Sequence, residues 1–161
     1  MNKTVRYIGI DPGKTVGYAF FNDEGKPIQH GQMDWEMFIK CLAGMSDHDN
    51  TGLPVTFVVE NFKLLVHKAA SVARNVASRS MEASQIIGAV RLLCELKDNY
   101  ELVLQNTDAL HAGAAWAGLD MKVGEHSKTN WKSAYSHVTF YIVQNKIRKV
   151  KEIREDATPQ A

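Results

Sequence analysis

Two acidic residues stand where a sheet could present them side by side. Asp11 follows the β-branched and aromatic run Val5 to Ile10 and opens an Asp-Pro-Gly turn, while Glu60 follows the near-continuous apolar run Pro54 to Val59. A run of the second kind is typical of a strand covered on both faces, and Pro with Gly favours a tight turn after the first. Singly, each acid has a plain structural use, since Asp before Pro-Gly commonly just initiates a turn. Together they say more, because two central strands that end in carboxylates place both side chains at one edge of the sheet. Carboxylates held that close repel unless a cation binds between them. Hard oxygen donors suit Mg²⁺ or Mn²⁺, and two such ions about 3.5–4 Å apart clamp the attacking and leaving oxygens of a phosphodiester. The chemistry to expect is metal-assisted phosphodiester hydrolysis.

The elements that must position these residues follow from pattern. Val5 to Ile10, Gly17 to Phe21 and Ile28 to Met33 read as three strands of an antiparallel meander, with Asn22-Asp23-Glu24-Gly25 as a hairpin turn. Trp35 to Met45 carries apolar residues at the helical period, Pro54 to Val59 is the buried strand, and a long helical region follows with a break expected around Ala77 to Ser80. Glu101 to Gln105 reads as a further strand, Thr107 to Trp116 as a short helix and Lys128 to Lys146 as a final helix. This order predicts an α/β fold: a mixed five-stranded sheet, three strands in a meander and two parallel, covered by helices on both faces.

Length and composition bound the alternatives. With 161 residues, 45% hydrophobic and 23% charged, one domain over residues 1–150 is expected, followed by a charged, flexible tail over 151–161. A net charge of +1 neither demands nor excludes a nucleic-acid partner. Cys41 and Cys94 lack any metal-binding spacing and read as buried free thiols. No signal-peptide pattern opens the chain and no apolar stretch is long enough to span a bilayer, so a cytoplasmic protein without membrane contact is expected.

The run Tyr7-Ile8-Gly9-Ile10-Asp11-Pro12-Gly13-Lys14-Thr15-Val16-Gly17-Tyr18-Ala19 resembles the opening motif of the RuvC-type Holliday-junction resolvases, in which a first strand ends in the catalytic Asp and a Gly opens the second strand. Phe57-Val58-Val59-Glu60 is similar to the family's second carboxylate strand. Ile86-Ile87-Gly88-Ala89-Val90 is similar to its dimer-interface helix, and Ser133-Ala134-Tyr135-Ser136-His137 resembles the phage-like branch. The resemblance extends from about Val5 to about Lys146. It implies a ribonuclease-H-like fold and a homodimer through the Met81 to Leu96 helix. It also implies four-way DNA junctions as partner and paired nicks that depend on Mg²⁺ or Mn²⁺, two ions per site. Asp11 would bridge both ions and Glu60 would bind one.

The chain departs from that pattern on its last helix. The family places two further ligands there, three residues apart and so on one helical face; the matching positions hold Asn130 and Ser133, and no Asp or Glu occurs between Glu125 and Glu152. His137, one turn further along the same face, and His126 are nitrogen donors in reach of that edge, or else ordinary polar contacts. Three readings stay open: replacements that disable cleavage, a natural site that works with Asn, Ser or His and fewer carboxylates, or a protein that binds junctions without cutting them.

Charge is unevenly placed. Lys122, Lys128, Lys132, Lys146, Arg148, Lys149, Lys151 and Arg154 outnumber the acids of their segment, and Lys63, Lys68, Arg74 and Arg79 follow Glu60. Lys63, Lys68, Arg74, Arg79, Lys128 and Lys132 are the candidate phosphate contacts; a solvated helix face is the plain alternative. Phe62, Leu64 and Leu65 follow Glu60 as a wedge for the junction centre or as core, and Trp116 and Trp131 read as packing residues. Three functional classes compete: a structure-selective endonuclease, a non-catalytic binder of branched DNA, and an enzyme cutting RNA in hybrids.

Overall fold

Alternation along the strands decides which face each side chain takes, and the computed structural model, which describes residues 4–48, 52–61, 70–120 and 130–156, follows it closely. The strands are β1 (Val5–Asp11), β2 (Thr15–Asn22), β3 (Pro27–Asp34), β4 (Val55–Glu60) and β5 (Tyr100–Gln105). The helices are α1 (Trp35–His48), α2 (Ala70–Leu96), α3 (Asp108–Ala117) and α4 (Asn130–Asp156). One sheet runs β3-β2-β1-β4-β5, with β1, β2 and β3 antiparallel and β4 and β5 parallel to β1. This is the expected mixed five-stranded architecture.

Ile8, Ile10, Phe57 and Val59 point to one face and bury against Phe38 and Leu42 of α1 and Ile86, Val90 and Leu93 of α2. The opposite face carries Ala19, Phe21 and Val58, which pack on Ala134, Val138 and Ile142 of α4. Helices therefore cover both faces. Gly9 lies on the α4 side of β1, and the next residue of that parity is Asp11; on β4, Glu60 has the parity of Val58. The same two-residue period that builds the core thus turns both carboxylates toward α4.

α4 sits so close to the sheet that side chains are excluded beneath it. A Cβ on Gly9 would strike the carbonyl of Ala134, one on Gly17 the carbonyl of Asn130, and one on Gly113 of α3 the carbonyl of Ser136. Backbone cannot yield as a side-chain tip can, so Gly9→Ala should cost about 1–3 kcal/mol by overpacking. Urea denaturation measures this; an unchanged midpoint would mean that α4 shifts without cost.

Some expectations need correction. α2 is one continuous helix from Ala70 to Leu96 with no break near Ala77 to Ser80: its run of Ala, Ser and Arg weakens the apolar period but contains no Pro to interrupt the backbone. α4 continues past Lys146 to Asp156, again with neither Pro nor Gly to stop it. Cys41 is exposed on α1, because Phe38 and Leu42 take the inward face, so only Cys94 is even half-buried. Burial pushes the Cys94 thiol up to about 11. Trp116 stacks on Phe140 with ring centroids 5.4 Å apart yet stays 47% exposed, and Trp131 stacks on His30 at 4.2 Å.

Candidate functional site

Three strands end together. Ile10 pairs with Val59 in the parallel ladder and Glu60 with Gln105, so Asp11, Glu60 and Gln105 form a row at the carboxyl ends of β1, β4 and β5. The ladder continues one step past Glu60, where the Asn61 amide donates to the Gln105 carbonyl at 2.6 Å. This pins Glu60 and Gln105 side by side. The first turns of α4 lie over that row.

Ser133 and His137, one helical turn apart, face it. The Ser133 hydroxyl donates to Glu60 Oε2 at 3.2 Å, close enough to Asp11 to favour its ionised form. Thr107 precedes α3 at the N-cap position but makes no side-chain cap; its hydroxyl instead donates to Glu60 Oε1 at 3.3 Å. His137 is fully buried, with Nδ1 3.0 Å from Gln105 Oε1 and Nε2 3.7 Å from Glu60 Oε2. Beyond hydrogen-bond reach of Glu60, that Nε2 is a buried atom without a hydrogen-bond partner.

The two carboxyl groups are electrostatically unequal. Burial, then the neighbouring charge of Glu60, holds Asp11 well above the usual carboxylate range despite the nearby Ser133 hydroxyl. Burial pushes Glu60 upward too, but the imidazole of His137 and the hydroxyls of Ser133 and Thr107 outweigh it and hold Glu60 below its ordinary value. Asp11 is thus the member of the pair that keeps its proton more readily, and Glu60 the one that ionises.

Of the four residues expected at the catalytic centre, Asp11, Glu60 and Ser133 meet. Asn130 does not join them: its Nδ2 donates to the Thr15 carbonyl at 2.6 Å, fastening α4 to β2. Lys132 extends its ammonium to the Asp120 carbonyl at 2.9 Å. Lys63, Lys68, Lys122, Lys128 and His126, with Phe62, Leu64 and Leu65, lie outside the described residues, as do the side chains of Arg74 and Arg79 on α2. Gln105 and Thr107 went unselected in the sequence, although Gln105 ends an apolar strand just as Asp11 and Glu60 do.

The donor chemistry can be tested against a divalent cation. Among the described residues no three His, Cys, Asp or Glu side chains stand as a ready-made metal group. What is present is a carboxylate pair at a sheet edge, and Mg²⁺-type ions are commonly held by one or two carboxylates together with substrate phosphates rather than by an all-protein cage. A cation between them would offset both the burial and the repulsion from Glu60 that raise Asp11. The pair fits one such ion; Asn130 and Ser133 add no carboxylate for a second.

No protein-family model and no curated protein matches the chain. Among solved structures, the fold is similar to the Thermus thermophilus RuvC structure, with a TM-score of 0.53 and 14% sequence identity over 89% of this chain and 96% of that one. The likeness extends across the sheet and its helices, and the fold is RuvC-like and ribonuclease-H-like. No helix among the described residues is long and apolar enough to cross a membrane.

Proposed function

We propose that this chain is a structure-selective DNA endonuclease that resolves four-way junctions, with the hydrolytic site at Asp11 and Glu60. The observation that carries the proposal is the convergence of these two carboxyl groups at the ends of adjacent parallel strands, close enough for the charge of Glu60 to raise Asp11. A bound Mg²⁺ or Mn²⁺ would supply Lewis-acid stabilisation of the attacking and leaving oxygens of a phosphodiester. The protein's part is positional. Glu60 is held by Thr107 on one oxygen and Ser133 on the other, Asp11 stands beside it at the end of the neighbouring strand, and Asn130 anchors α4 over the pair. We read one ion at this pair, where the resemblance to resolvases implies two.

Junctions rather than simple duplex are the substrate we infer, from the RuvC-like fold and from the resolvase-like opening motif around Asp11; the run from Ser133 to His137 further suggests the phage-like branch. Paired nicking needs two sites, and a homodimer through α2 would supply them. Met81, Leu92 and Leu96 leave that helix 63%, 60% and 70% exposed, which favours a covering partner. The chain should therefore sediment as a dimer, and Leu92→Glu should shift it to monomer; a monomeric unaltered chain would remove this part of the proposal. Lys63, Lys68, Arg74, Arg79, Lys128 and Lys132 are proposed to contact phosphates, and the charged segment from Lys151, which continues α4 to Asp156, to project beyond the single domain.

A second reading has its own support. Asn130 and Ser133 occupy the helix positions where resolvases carry ligands, and both side chains are committed to protein partners. A chain that binds branched DNA without cutting it would look the same at these positions. Synthetic four-way junction, matched duplex and RNA–DNA hybrid, each incubated with the chain and Mn²⁺ or Mg²⁺, separate the readings. Paired nicks confined to the junction are expected. Binding without nicks supports the second reading, and cutting of the hybrid alone would replace both with a ribonuclease.

A further inference from the structure

His137 stands in the site as the neighbour that helps hold Glu60 below its ordinary value. Its side chain is wholly buried on α4, in the row of groups that faces the strand ends. Gln105 Oε1 accepts from Nδ1 at 3.0 Å, which places a proton on Nδ1 and turns Nε2 toward Glu60 Oε2. Nε2 is buried and hydrogen-bonds nothing.

A buried nitrogen that faces a carboxylate with no hydrogen-bond partner is costly unless positive charge, on the ring or between the two, offsets it. The separation of 3.7 Å is too long for a hydrogen bond. It suits two donors on one ion: atoms each about 2.1 Å from a common centre stand roughly 3 Å apart at a right angle and about 4.2 Å apart when opposed. The fixing of Nδ1 by an amide oxygen is also the arrangement by which metal-binding histidines are held in tautomer and orientation.

We infer that His137 Nε2 is a ligand to the divalent cation bound by Glu60 and Asp11, and that this nitrogen makes the site prefer Mn²⁺ to Mg²⁺. The inference rests on the reading of Asp11 and Glu60 as a cation site. Imidazole adds affinity for transition-metal dications, whereas an all-oxygen site suits Mg²⁺ as well. Gln105 is then a positioning residue, acting on the ion only through Nδ1. Asp11, Glu60 and His137 do not stand as a ready-made three-donor group, so ligation requires them to close on the ion.

The test uses the full chain and Mn²⁺ or Mg²⁺ alone, without DNA. Pulsed electron paramagnetic resonance of bound Mn²⁺ should show coupling to a nitrogen nucleus, and His137→Gln should abolish that coupling. The same variant should weaken Mn²⁺ binding on the order of 10–100-fold while leaving Mg²⁺ binding little changed. Since His137 is buried, Gln105→Leu provides a second arm that keeps the imidazole: it should weaken Mn²⁺ on the order of tenfold without removing the coupling. Mn²⁺ bound without nitrogen coupling, or coupling that persists in His137→Gln, overturns the inference and leaves the carboxylate site standing. Binding of neither cation overturns both. Nitrogen-coupled Mn²⁺ in a chain that cuts no junction upholds the inference and removes the nuclease reading.

Discussion

Asp11→Asn is expected to abolish junction cleavage, by on the order of 10³-fold or more, to leave junction binding within a few-fold, and to make the chain more stable. The first effect follows if Asp11 holds the cation. The second follows because DNA affinity is dominated by phosphate contacts from basic residues rather than by the acids. The third follows from burial: ionised Asp11 faces Glu60 in a desolvated place, and an asparagine amide can donate to Glu60 with no charge to bury. A gain of roughly 1–3 kcal/mol is expected in chelator at neutral pH, read by thermal or urea denaturation.

The pH dependence gives the same prediction independently. Asp11 is raised in the folded state, so its contribution to stability is complete below its ordinary value of 3.8 and is lost as pH rises through the raised folded value. Glu60 is lowered, so its contribution is present above its ordinary value of 4.5 and is lost as pH falls through the lowered one. In chelator the unaltered chain should therefore lose stability as pH climbs through the Asp11 range, and Asp11→Asn should not. An identical pH profile in both would mean that Asp11 is not the strained member of the pair.

Ser133→Asp is the second large effect. Ser133 is 6% exposed and donates to Glu60 beside Asp11, so an acid there removes a donor and adds a third buried carboxyl group at the same point. In chelator the variant should lose about 2–4 kcal/mol, the range for an uncompensated buried charge. Mn²⁺ should reverse this, with affinity higher on the order of tenfold than in the unaltered chain, because a third carboxylate repays its burial only when an ion is bound. Melting curves with and without Mn²⁺ measure both. An equal Mn²⁺-induced shift in variant and unaltered chain would place position 133 outside the cation's reach.

Much of this site is legible in the sequence because the strands are short and regular. The runs that build β1 and β4 read as central strands, so the acids that end them fall at one edge, and position 133 follows from helical spacing. Gln105 obeys the same rule but carries no charge, which is why it draws no attention until its register with Glu60 is seen. Asn130 is the opposite case. Its spacing places it with Ser133, yet the approach of α4 to Gly17 of β2 brings its amide to the Thr15 carbonyl, and that depth of packing depends on glycines distant in sequence. For His137, helical spacing gives the face but not the tautomer, which is set by Gln105 across the sheet. Lys132 shows the limit of charge counting: its ammonium meets the Asp120 carbonyl, a contact no spacing reveals.

Calorimetric titration of Mn²⁺ into the unaltered chain, Asp11→Asn and Glu60→Gln tests the shared site most directly. The account predicts one ion bound by the unaltered chain and a comparable loss of affinity in each variant, since either acid alone leaves the ion half held. Undiminished Mn²⁺ binding in either variant would contradict it.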